Sequence, residues 1–139
     1  MTDGLRGLQD LTRMLLDAEL AELRQLSEDA RLKRQELDRL GAALAARSEA
    51  LRGGDPCDDL AYRTGQDARW QAWTAGARAE LNREAAAIAA RREAQRKKAQ
   101  RAFGRVEALA GIRRLEAEER RLREARRLHA DPDGSGISD

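Results

Sequence analysis

The residues with the best claim to chemistry in this chain are few and far apart. His129 is the only histidine. A structural or catalytic zinc site needs three or four protein ligands, so one histidine with no cysteine near it reads as the end of a helix, where it complements the dipole. Cys57 is the only cysteine and has no base beside it. It can belong to no internal disulfide and reads as an incidental surface thiol rather than a nucleophile. Near the C-terminus, Asp131, Asp133, Ser135 and Gly136 occupy the first, third, fifth and sixth places of a calcium loop. The bidentate glutamate required at the twelfth place is missing because the sequence ends at Asp139, so the segment reads as an acidic flexible tail. Paired carboxylates such as Glu118 and Glu119 sit among arginines, without the desolvated cleft that would raise a carboxyl pKa. There is no glycine-rich phosphate loop and no serine, histidine and aspartate set. The expectation is a protein that is not an enzyme, with no catalytic residues, no metal and no cofactor.

Two other groups of residues point to binding. The run RREAQRKKAQR at 91–101 could meet phosphates, although acidic residues earlier in the chain can neutralise it, which makes nucleic acid an unlikely partner. Trp70 and Trp73 stand one helical turn apart in a chain with only 3% aromatic residues. Tryptophan is enriched at protein-binding hot spots. The alternative is that both line a helical seam, and one could pack inward while the other stays partly exposed.

Helices must position these residues. Charged residues make up 37% of the 139, and the apolar 41% is mostly alanine and leucine, a composition typical of coiled coils. Four aromatic residues cannot fill a compact core, so the apolar surface must lie along a seam. Leu23, Leu26, Ala30, Leu37, Leu40, Leu44 and Leu51 recur in steps of three and four. Only Lys33 and Arg47 interrupt the nine seam places from 23 to 51. Leu8, Leu11, Leu15 and Ala18 follow a phase displaced by one residue, so a stutter is expected near Met14–Leu16.

The sequence RGGDPCDD at 52–59 stops one helix and starts another. Gly53 suits a left-handed helix end, Asp55 an N-cap and Pro56 the first helical place. A stop and start this close favour antiparallel neighbours. In the following segment Gly65 marks a break near 64–66. A seam then runs through Trp70, Trp73, Ala77, Leu81, Ala85, Ile88, Ala99, Ala102, Val106, Leu109, Ile112, Leu115 and Leu122, interrupted by Arg92 and Gln95. The expected fold is all-α: residues 1–130 form a single antiparallel coiled-coil hairpin. Its helices cover 5–52 and 59–130, a turn covers 53–58, and 131–139 are a disordered C-terminal tail. Residues 1–60 carry a net charge of −4 and residues 91–127 a net charge of +8, which favours folding back. Nothing approaches 18 consecutive apolar residues, and residues 1–13 lack the pattern of a secretory signal.

This arrangement resembles the FliJ-type stalk proteins of flagellar and other type III export systems. The residues that carry the resemblance are Tyr62, Arg69-Trp70 with Trp73 three places on, Ala87-Ile88, the segment Arg101–Arg105 around Phe103, and EAEERRLREARR at 116–127. The resemblance implies a cytoplasmic, non-enzymatic stalk or adaptor with protein partners only and no small-molecule substrate. The helix ends, including Arg120, Arg121 and Arg123, would bind the export ATPase ring. The tip, with Tyr62, Arg69, Trp70 and Trp73, would bind the export gate or chaperones. It would touch the cytoplasmic face of the inner membrane only through those partners. A self-assembling coiled-coil scaffold is the alternative, and a basic nucleic-acid-binding hairpin is a more remote one.

Overall fold

The computed structural model describes residues 2–130 and contains only helices among them. The expected tail at 131–139 lies outside the described residues. Helix α1 spans Thr2–Gly53, a 3-10 turn spans Pro56–Asp58, α2 spans Leu60–Arg63 and α3 spans Gln66–Ala130. The described residues divide into two packed units, one of residues 20–97 and the other of 2–19 with the end of α3 from residue 98.

The ends of these elements follow from local chemistry. Asp55 accepts a hydrogen bond from the Cys57 amide at 2.9 Å and so caps the 3-10 turn. Asp59 caps α2 through the Tyr62 amide at 3.0 Å. The break expected near 64–66 is present. Thr64 closes α2 by donating its hydroxyl to the Leu60 carbonyl, and Gly65 reverses the chain at φ +77°. Only glycine takes that conformation without steric cost. Gly53, expected to be the left-handed helix end, is instead the last residue of α1, and the positive φ belongs to Gly65. The second long helix therefore starts at Gln66, and residues 59–65 form their own cap, turn and break.

In the unit of residues 20–97, all nine seam places from Leu23 to Leu51 are buried or half-buried, and Leu26 is the most enclosed leucine. The two polar places carry the cross-helix ion pairs. Lys33 Nζ lies 2.7 Å from Glu84, and Arg47 bonds Asp59 and Asp67. Stepping back along α1 from Arg47 to Lys33 therefore steps forward along α3 from Asp67 to Glu84. On α3 the seam takes Asp67, Trp70, Thr74, Ala77 and Leu81. Thr74 is fully buried, with its hydroxyl donated to the Gln71 carbonyl at 2.8 Å. It holds the place expected for Trp73, which points outward. Gln95 is buried rather than breaking the seam, whereas Arg92 is exposed.

In the unit formed by 2–19 and the end of α3, the buried places are Gln9, Thr12, Ala99 and Ala102. Thr12 donates to the Gln9 carbonyl at 2.9 Å, and Arg113 donates to Gln9 Oε1 at 3.0 Å. The expected stutter near Met14–Leu16 is absent. Leu5, Gln9, Thr12, Leu16 and Glu19 keep the phase of the seam, while Leu8, Leu11 and Leu15 are exposed. Moving those leucines inward would rotate α1 by about 100° at that point, which a continuous helix cannot do without an insertion. On α3, Ile112, Leu115 and Leu122 are exposed instead of in the seam. Among the described residues, no helix is long and apolar enough to cross a membrane.

Two measurements follow from these contacts. Leu26→Ala should cost about 2 kcal/mol in urea unfolding, whereas Leu32→Ala, at an exposed place, should stay within about 0.5 kcal/mol. Asp59 is held down from the ordinary 3.8 to about 2, first by the Arg47 guanidinium and then by the Tyr62 amide. Its folded value is depressed, so its contribution is complete above pH 4 and is lost as pH falls towards 2. Thermal melts over that range should drop more steeply for the native chain than for Arg47→Met.

Candidate protein-binding site

The aromatic cluster around the turn is built on one side chain. Arg47 projects from the seam of α1, and its guanidinium forks onto Asp59 through Nη1 at 2.9 Å and Nη2 at 2.8 Å. Its Nε donates to Asp67. A guanidinium can serve two carboxylates in one plane in a way that an ammonium cannot. Asp59 and Asp67 hold the guanidinium charge in place and push its pKa up. Asp67 is itself buried, and its second oxygen accepts from Gln71 Nε2 at 3.0 Å. No buried side-chain nitrogen or oxygen among the described residues lacks a partner.

This clasp fixes the surroundings of the candidate residues. Asp59 caps the helix that carries Tyr62, and Asp67 lies one turn before Trp70. One arginine thus ties α2 and the start of α3 to α1. Trp70 is half-buried beside a shallow depression lined by Ala43, Arg47, Ala61, Gln66 and Asp67. Trp73 is 66% exposed and Tyr62 55% exposed. Arg69 is also exposed, on α3 between Asp67 and Trp70. The two tryptophans therefore have different roles: one anchors the turn and the other is presented to solvent. Tyr62, Arg69, Trp70 and Trp73 all belong to the unit of residues 20–97.

Arg120, Arg121 and Arg123 belong to the other unit and are exposed on the last turns of α3. Arg123 reaches Glu119 at 2.8 Å with both side chains more than 60% exposed, a pair that contributes little to stability. Within the basic run at 91–101, Arg96 pairs with Glu93 one turn away. His129 lies exposed in the last turn of α3, and Cys57 is an exposed free thiol. Among the described residues, no cluster of histidine, cysteine, aspartate or glutamate side chains could hold a metal ion.

The residues that a sequence reading passes over are Arg47, Asp59 and Asp67. The signal was present: a charge at a seam place must find a partner, and aspartates follow just beyond the turn. No protein-family model, characterised protein or solved structure matches the chain.

Tryptophan fluorescence separates the two indoles. Trp70→Phe, which leaves Trp73, should emit at longer wavelength and be quenched strongly by acrylamide. Trp73→Phe should be bluer and better protected. Equal quenching of the two variants would contradict the assigned exposures.

Proposed function

We propose that this chain is a non-enzymatic stalk or adaptor that works by holding other proteins, of the kind that serves flagellar and other type III export systems. In this reading the two long helices pair as an antiparallel coiled-coil hairpin. The hairpin would act in the cytoplasm and reach the inner membrane only through its partners. The helix ends with Arg120, Arg121 and Arg123 engage the export ATPase ring. The region of Tyr62, Arg69, Trp70 and Trp73 engages the export gate or substrate chaperones.

The observation that carries this reading is Trp73. A tryptophan two-thirds exposed, about two turns from an arginine clasp that holds its helix, is a preorganised contact whose burial needs a partner. The exposed arginines on α3 suit an acidic partner surface, where complementary charge speeds encounter. The resemblance in residues 62–73 and 116–127 supplies the identity of the partners.

Pull-down with the cognate export ATPase tests this. The native chain should bind at micromolar concentration and raise ATPase activity. Charge reversal at Arg120, Arg121 and Arg123 together should weaken binding roughly tenfold or more. Trp73→Ala with Tyr62→Ala should spare the ATPase and weaken binding to the gate. Absence of ATPase binding by the native chain would refute the proposal.

A further inference from the structure

The first helix carries a second apolar face that the seam does not use. Gly4, Gly7, Leu8, Leu11, Met14, Leu15 and Ala18 follow one another in steps of three, one, three, three, one and three, and all are exposed. Leu11 is 50% and Met14 67% exposed. The charged residues of this segment, Asp3, Arg6, Asp10, Arg13 and Asp17, all fall outside those places. An uncharged stripe at heptad spacing is the seam of a second helix pairing, not a solvated surface.

On α3, Ala108, Ile112, Leu115 and Leu122 are likewise exposed. On α1 the exposed leucines sit one place before a seam position, and on α3 Ala108 sits one place before the half-buried Leu109. Leu8, Leu11 and Leu15 precede Gln9, Thr12 and Leu16, and Ile112 precedes Arg113, which bonds Gln9. In an antiparallel pair such places fall on the same side of both helices. This step rests on the antiparallel pairing proposed above.

We propose that this common face binds a second copy of the chain, forming a four-helix bundle from residues 2–19 and 98–130 of each copy. Charge selects the arrangement. Residues 2–19 carry four acidic and two basic groups, net −2, and residues 98–130 carry ten basic and five acidic groups, net +5. The first helix of one copy attracts the last helix of the other, whereas two α3 segments laid together repel. The internal seam here is also thin. Its buried places are Gln9, Thr12, Ala99 and Ala102, with Leu5, Leu16, Val106 and Leu109 half-buried, so Leu8, Leu11, Met14 and Leu15 remain for the second copy. Self-pairing covers part of the surface that the adaptor reading assigns to the ATPase, so the two compete, and the dimer is the form held in reserve.

Sedimentation equilibrium on the full chain tests this, with Leu11→Glu/Leu15→Glu as the disrupting variant. Phe103→Ser, an exposed aromatic outside the face, is the control. The native chain and Phe103→Ser should dimerise at tens of micromolar, and the double glutamate variant should dimerise at least about tenfold more weakly with unchanged helicity. A monomeric native chain, or equal dimerisation by the double variant, overturns the proposal. Zero-length carbodiimide coupling of Lys33 to Glu84 reports the helix pairing itself. If that link forms within a monomer, only self-association has failed. If it never forms, the antiparallel reading fails and the proposal fails with it.

Discussion

Everything near the turn depends on the pairing of one seam charge. Arg47 occupies a place in a repeat that is otherwise leucine or alanine except at Lys33, and a charge there is costly unless its donors are met. Three of its nitrogens reach two carboxylates from two different elements. Asp59 is at once this partner and the N-cap of α2, and Asp67 is buried at the start of α3. The same bonds that satisfy the arginine set where α2 begins, how Gly65 must turn and which way α3 leaves. Lys33 with Glu84 repeats the device farther along, with Glu36 on its own helix as a more distant second carboxylate and slightly more exposure. Ion pairs of this kind add little stability over apolar packing. Their established use in coiled coils is to fix register.

The register of the first helix was legible because leucine dominates it. Nine places from 23 to 51 were readable from spacing, and all nine are wholly or partly enclosed. The same rule misled where two apolar phases compete. Between 5 and 19 the larger residues lie on one phase and Gln9 and Thr12 on the other. Phase continuity with the thirty residues that follow decides in favour of the polar ones. Both polar residues find partners for burial, Thr12 by bonding its own backbone and Gln9 by accepting from Arg113 on the other helix. The choice of Thr74 over Trp73 has the same origin. A hydroxyl that can bond its own helix fits a tight seam, and an indole does not.

The candidate site was legible in composition but not in geometry. Two tryptophans and a tyrosine close to a turn stand out in any chain this poor in aromatics. Which of them faces outward depends on the phase of α3, and that phase is reset at Gly65. No repeat read from the first helix carries through a left-handed residue. The phase is set by the Asp67 contact to Arg47, a pairing of residues 20 apart that leaves no periodic trace.

On α3, packing and exposure are inverted relative to an ordinary domain. The most enclosed residues on α3 are Asp67, Thr74, Gln95, Ala99 and Ala102, while Trp73, Leu115, Leu122 and Leu128 face solvent. Small residues let helices approach closely but bury little area, so at about 25 cal/mol per Å² the seam supplies only a modest share of what the leucines could. The unspent apolar surface lies outside, arranged along helices whose register is fixed by ion pairs. On α3 several large apolar residues therefore stay at the surface, while the large residues that do pack inward are mostly the seam leucines of α1. The arginine clasp adds to that leucine seam a pairing that fixes register rather than one that buries area.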